Sequence, residues 1–234
     1  GLEICEDLWD DEYECKVSSE LKKAGADCII NISASPYHEL RLNERLDLVR
    51  SKVQETNIPF YYCNLVGAQD ELIFDGQSIA MNGEGALVGL GTIFQEEIIY
   101  IDNEDDSTVE LHQKSREAEL YDALVLGVKD YFRKTGHNEA VIGLSGGIDS
   151  SLVACIAVDA LGAENVHGVS MPSVYSSEHS KDDAQTLAEN LGIDYRSIAI
   201  HDVVDYFEST LEPHFEGQDR NVAEENIQAR VRGD

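Results

Sequence analysis

Basic residues are scarce in this sequence: 17 Lys and Arg stand against 46 Asp and Glu in 234 residues, a formal net charge of −29. A field of that sign repels phosphodiester backbones, which argues against a nucleic-acid-binding protein. The acids run along the whole chain instead of gathering in a tail. Such a surface suits a salt-rich cytoplasm, where screening removes the self-repulsion. No run approaches the roughly 18 apolar residues of a membrane span, and no secretory apolar segment opens the chain. The expectation is a cytoplasmic protein with no membrane partner. Cysteine pairs at C-x-x-C spacing are also missing. The 5 cysteines (Cys5, Cys15, Cys28, Cys63, Cys155) are scattered and odd in number, which excludes a disulfide framework or a zinc site and fits a reducing compartment. The chain opens on Gly1, not Met, and closes on Arg232-Gly233-Asp234 without a stop signal, so a piece of a longer protein, cut at both ends, is expected.

What is present is clearest at Ala140–Ser151, A-V-I-G-L-S-G-G-I-D-S-S. The apolar run to Leu144 reads as a short buried strand. Ser145-Gly146-Gly147 reads as a tight turn, and Ile148 opens a helix with Ile148, Leu152, Ile156 and Ala160 spaced along one face. Paired glycines let backbone N–H groups crowd around an anion, and a helix N-terminus adds partial positive charge. Ser145 and Ser150 supply hydroxyls. Asp149 belongs at an anion site only if a divalent cation bridges it to phosphates. Gly143, Leu144, Ser145, Gly146, Gly147, Ile148, Asp149 and Ser150 are therefore candidates to hold ATP, with Asp149 holding Mg²⁺. No Lys follows the glycines, so this is not the G-x-x-x-x-G-K-[ST] loop.

Upstream, Gly1–Trp9 begins as an apolar strand end and turns polar at Cys5, which is either a small core residue or a thiol nucleophile at a strand-to-helix turn. A helix over 17–24 precedes a buried strand over 27–33. A longer helix over 38–56 carries Leu42, Leu46, Val49 and Val53 on one face. A strand over 58–66 follows. Residues 73–80 and 86–90 read as a hairpin around Asn82-Gly83-Glu84-Gly85, and 95–101 as one more strand. The acidic stretch from Asp102 to Ser107 has no periodicity and reads as a linker. A helix over 115–134, with Leu120, Leu124, Val128 and Tyr131 or Phe132 on one face, opens a second domain. Beyond the Ala140 strand and its helix come strands at 166–171 and 194–200 and helices at 178–190, 202–211 and 219–232. That alternation predicts a parallel sheet with helices on both faces and ligands at the carboxyl ends of its strands. The domain limits are 1–102, a linker over 103–114, and 115–234.

The S-G-G-I-D-S stretch resembles the pyrophosphate loop of the ATP pyrophosphatase group, whose members adenylate a carbonyl and release pyrophosphate. I-C-E-D-L-W, N-I-S-A-S-P-Y-H and N-L-V-G-A-Q-D-E-L-I-F-D-G-Q-S resemble the C-terminal half of a nitrilase-type amidase domain. That resemblance implies Cys5 as the amide-attacking nucleophile, with Ser35 and Arg41 holding a glutamine substrate; Lys is frequent where Arg41 stands. The family's Glu base and Lys partner precede the cysteine and are not among these residues, so the chain alone is expected to be inactive as an amidase. M-P-S-V-Y-S-S-E-H-S and A-E-E-N-I-Q-A-R-V-R resemble NAD synthetases, which implies Asn226 as a deamido-NAD contact and Arg230 as a lesser candidate for the nucleotide phosphates.

A nitrilase-type glutaminase followed by such a loop resembles the glutamine-dependent NAD synthetases. The implied fold is α/β: the C-terminal part of a nitrilase-like α-β-β-α sandwich, then a Rossmann-like parallel-sheet ATP pyrophosphatase (adenine nucleotide alpha hydrolase-like) domain. The implied substrates are glutamine, ATP and deamido-NAD, with Mg²⁺ and a homo-oligomeric state. Another amidating or tRNA-modifying enzyme of the same loop group, and a nucleotide-binding regulatory domain, are the alternatives; the negative charge opposes the tRNA reading.

Overall fold

The structure is a computed structural model that describes residues 1–102, 107–111, 114–173, 177–214 and 222–233, apart from the side chains of 223–225. Half of the residues of the expected linker, and 174–176 of the loop after the second strand of the second half, lie outside that set. By its packing the chain divides into two units, Gly1–Tyr131 and Phe132–Asp234.

The first unit runs β1 (Leu2–Ile4), α1 (Val17–Lys23), β2 (Ile29–Ser33), α2 (Arg41–Thr56), β3 (Phe60–Asn64), β4 (Val66–Gln69), β5 (Leu72–Asp75), β6 (Ile79–Met81) and β7 (Leu87–Leu90). A five-stranded sheet has the order β1-β2-β3-β6-β7. β1, β2 and β3 are parallel, with Ile4 opposite Ile32 and Ser33 opposite Asn64. Their carboxyl ends are therefore flush, and the residues that leave them, Cys5, Ser33 and Asn64, meet along one edge. Alternation does the sorting in β2: Ile29, Asn31 and Ser33 are buried, while Ile30 and Ile32 face outward. Leu46, Val49 and Val53 of α2 pack on the inner face with Ile29, Phe60 and Tyr62. The outer face is apolar and open, with Ile4 65 % and Ile32 54 % exposed.

Three expectations need correction here. The helix expected from His38 starts at Arg41, because Leu40 adopts a left-handed conformation (φ 67°) that no α-helix continues through. The run 73–80 is not one strand: Gly76 (φ 68°) and Gln77 (φ 49°) turn the backbone, so β5 pairs with β4 while β6 pairs with β3. Residues 95–101 form no strand. Ile98 and Tyr100 point outward and Ile99 and Ile101 pack near Gly89, which reproduces the alternation, but the backbone finds no ladder partner.

α3 (Arg116–Thr135) runs from one unit into the other. Ala123 and Asp130 are its buried positions, and Asp130 accepts from the Ala68 N–H at 2.8 Å. Leu124 and Tyr131 are exposed, so the buried stripe is rotated from the expected one. The second unit continues β8 (Ala140–Gly143), α4 (Ile148–Leu161), β9 (Val166–Ser170), α5 (Glu178–Leu191), β10 (Asp194–Ser197), α6 (His201–Leu211) and α7 (Val222–Gly233). β8, β9 and β10 form a parallel sheet in the order β10-β9-β8. Two successive right-handed crossovers that step the same way put their helices on the same face. Accordingly Ala154 and Ala157 of α4 meet Ala184 and Ala188 of α5 over Leu144 and Val166. The expected helix cover on both faces is not found among the described residues; Val141, on the other face, is 73 % exposed. Of the face expected for α4, Ile156 and Ala160 are buried, while Ile148 is 80 % and Leu152 48 % exposed.

Candidate active sites

In the first unit, Cys5 directly follows β1 and begins a 3-10 turn over Cys5–Leu8. Its φ of 44° is left-handed, a conformation that costs a non-glycine residue energy and persists only where the surroundings impose it. Asp7 holds the turn by accepting the Ile4 N–H at 2.8 Å. Beneath the turn, on the inner side of the sheet, Glu3 is fully buried with Ser18 and Asn31 donating to its carboxylate. Burial pushes the Glu3 carboxyl above the usual range despite those hydrogen bonds.

The turn carries Trp9 to a position beneath Arg41, whose guanidinium carbon lies 4.3 Å from the indole centroid. Arg41 donates to Ser35 Oγ from Nε (3.3 Å) and Nη2 (3.2 Å), and to Glu44 from Nη1 (2.8 Å). The structure thus brings Ser35 and Arg41 together and joins both to the cysteine turn through Trp9. Around Ser35 lie residues that sequence reasoning missed. Arg45, one turn after Arg41, donates to Ser35 O at 2.8 Å and to Asp75 at 2.7 Å. Asn64 accepts from Ser35 N at 2.9 Å. The Tyr62 hydroxyl is buried close to Ser33 and Ser35 but outside hydrogen-bond geometry with either, and burial raises its pKa. An R-L-N-E-R helix start reads as solvated surface; only the paired spacing of its two arginines hints otherwise.

In the second unit, Leu144 leaves β8 with its N–H on Val169 O at 2.8 Å. Its side chain is core, so it can offer a ligand little. Ser145 Oγ accepts from Gly147 N at 3.1 Å, and Ser150 Oγ accepts from Ser145 N at 3.2 Å. These bonds curl the loop over the start of α4, where Gly147 is the N-cap and no side chain caps the helix. The first-turn N–H groups are thereby left for an anion. Asp149 is exposed on that turn. Among the described residues no group of three His, Cys, Asp or Glu is placed to hold a metal ion. One carboxylate beside a loop with free helix-start N–H groups would suit a Mg²⁺ that takes its remaining oxygens from a phosphate ligand and water, not a protein-built cage.

A cleft of about 430 Å³ opens beside the loop, lined by Ser145, Met171, Ser177, Ser180, Lys181 and Arg232 among others. Arg232 Nε donates to Met171 O at 3.2 Å, and buried Ser173 donates to buried Gln228 at 2.6 Å. These bonds fix α7 against the loop after β9. Asn226 is exposed on the same helix. Arg230 is exposed too and is not among the cleft-lining residues; Arg232, two residues on, is the arginine brought there.

Residues 120–234 match the family described as NAD synthase. The matched stretch includes β8, the Ser145–Ser150 loop, the cleft and α7. A glutamine-dependent NAD(+) synthetase of Synechocystis is 43 % identical over 246 residues, covering 100 % of this chain and 44 % of that protein. One of Thermotoga maritima is 43 % identical over 270 residues, covering 100 % and 46 %. A solved glutamine-dependent NAD+ synthetase of Acinetobacter baumannii, in complex with adenosine diphosphate, is 36 % identical with a TM-score of 0.90 over 100 % of this chain and 44 % of that one. The chain thus spans less than half the length of these relatives. Among the described residues no helix is long and apolar enough to cross a membrane.

Proposed function

We propose that this chain is the central part of a glutamine-dependent NAD synthetase, with a glutaminase site in residues 1–102 and a synthetase site in 115–234. The reading rests on one observation: a strained strand-end cysteine beside a serine–arginine pair precedes, in one chain, an anion-binding loop within the stretch that matches NAD synthase. The relatives, named as glutamine-dependent enzymes along the full length of this chain, support it. The first unit is read as half of a nitrilase-like α-β-β-α sandwich. Its open outer face, with Ile4 and Ile32, is the surface a second sheet would cover. The second is read as an ATP pyrophosphatase, adenine nucleotide alpha hydrolase-like, domain.

At the first site Cys5 Sγ attacks the side-chain amide carbon of glutamine. The C–N bond breaks, ammonia leaves, and water hydrolyses the thioester to glutamate. Ser35 and Arg41 hold the amino-acid end of the substrate. At the second site a carboxylate oxygen of deamido-NAD attacks the α-phosphorus of ATP and pyrophosphate leaves. Ammonia then attacks the activated carbonyl, and AMP leaves to give the nicotinamide. The loop N–H groups and the Ser145 and Ser150 hydroxyls bind the pyrophosphate as its charge grows. Asp149 is the residue that would hold Mg²⁺, which supplies further neutralisation of that charge, and Asn226 contacts deamido-NAD.

The test uses the full-length protein with ATP, Mg²⁺, deamido-NAD and either glutamine or ammonium. Cys5→Ala is expected to abolish glutamine-driven NAD formation and spare the ammonium-driven reaction. Equal loss with both nitrogen donors would overturn the two-site reading. Asp149→Ala is expected to lose both; retained ammonium-driven activity would remove Asp149 from the metal role.

A further inference from the structure

We propose that Arg45, Asp75 and Asn64 are positioning residues of the glutamine site, which hold Ser35 so that its hydroxyl donates to the substrate's α-carboxylate; this rests on the reading of Cys5, Ser35 and Arg41 above. Ser35 is pinned at every polar atom. Its N–H donates to Asn64 Oδ1 at 2.9 Å, and its carbonyl accepts from Arg45 Nη2 at 2.8 Å and Asn64 Nδ2 at 3.3 Å. Its Oγ accepts from Arg41 and, at 3.4 Å, from Arg45 Nε. A hydroxyl oxygen has two acceptor sites and one proton. With two guanidinium groups on the oxygen, the proton is the part left to give, which suits a carboxylate ligand and not a cationic one.

Arg45 is itself fully buried, and Asp75 matches its charge at 2.7 Å with both side chains out of solvent. A buried ion pair of this kind adds little net stability, because desolvation offsets the attraction. Its contribution here is geometry. The Arg45 fork spans from Asp75, at the end of β5, to the Ser35 and Pro36 carbonyls that follow β2. Asn64, at the end of β3, also donates to Gly76 O at 3.1 Å and to Asp75 Oδ1 at 3.4 Å. Three strand ends are thus locked at one serine. Arg45 is neutralised within the lock, so the cation nearest an incoming carboxylate is Arg41, whose Nη1 is shared with the half-exposed Glu44 at 2.8 Å.

The experiment measures alkylation of Cys5 by iodoacetamide, followed at the Cys5 peptide of the full-length protein, and the glutamine concentration that half-protects it. Iodoacetamide carries an amide but no α-carboxylate. In Asp75→Asn and Arg45→Lys the half-protecting concentration is expected to rise about 10-fold or more, the worth of a charge-assisted hydrogen bond. The unprotected alkylation rate and the ammonium-driven synthesis of NAD are expected to stay unchanged. Rescue by Arg45→Lys, or a fall of the alkylation rate in step with the loss of protection, would show a structural role and overturn the proposal. Should the charge variants fail to fold, Asn64→Ala leaves the buried Arg45–Asp75 charges paired and decides by the same two readouts. Absence of glutamine protection in the wild-type protein would instead overturn the reading of the glutamine site itself.

Discussion

Gly146 shows how little latitude the Ser145–Ser150 loop has. Its φ is 77°, and a Cβ there would overlap the Ser180 carbonyl oxygen of α5. Gly146→Ala is therefore expected to lose NAD formation with both nitrogen donors and to destabilise the protein by about 1–3 kcal/mol; wild-type steady-state rates in the variant would refute this. Glu3 supplies a pH signature. Burial raises its pKa in the fold, so the folded state binds its proton more readily than the unfolded chain. That stability is fully present below the unfolded carboxyl pKa and is lost as pH rises through the raised folded value. Glu3→Gln keeps an acceptor for Ser18 and removes the titration. Its melting temperature is expected to hold over that window where the wild type declines, and parallel profiles would contradict it. Cys5 and the Ser145–Ser150 loop were legible because each is a short contiguous motif at a strand end. Arg45 was not, because its role depends on Asp75, 30 residues away, and nothing local marks a helix arginine as buried.

At the scale of elements, periodicity found the strands and helices but not which side faces the core. Of the expected α4 stripe Ile156 and Ala160 are buried but Ile148 and Leu152 are exposed, and Ala154 and Ala157 pack on α5, since small residues let the two helices approach closely. Residues 95–101 have strand alternation without a strand: Ile99 and Ile101 pack near Gly89 of β7, but their backbone joins no ladder. Helix cover on both faces would require the strand order to reverse, which periodicity does not contain. The first unit carries another element-level dependency: Lys52 of α2 pairs with Asp10 of the turn after Cys5, both buried. The pair links the helix bearing Arg41 to the 3-10 turn Asp10–Glu12, which follows the Cys5–Leu8 turn. Lys52→Met leaves the buried Asp10 carboxylate with the Val17 N–H at 2.9 Å and, as its nearest remaining cation, the Lys16 ammonium at 3.9 Å; it is expected to cost about 3–5 kcal/mol, read as a lower denaturant midpoint. An unchanged midpoint would show that Lys16 takes over the pairing.

For the whole molecule, a net charge of −29 sets the dependence on salt. Exposed like charges repel over about 10 Å at 0.1 M salt and over about 3 Å at 1 M. The melting temperature of the full-length protein is expected to rise between low and molar KCl; a flat response would show that the acids are already neutralised within the fold.

Trp9 is the single tryptophan of this chain, and the Arg41 guanidinium rests on its face. Indole emission responds to a cation held against the ring, so this residue is a built-in optical reporter for the arginine that would grip the ligand. A carboxylate that draws Arg41 away from the ring should change the emission without any label, whereas ammonium, which has no contact with Arg41 to offer, should leave it unchanged.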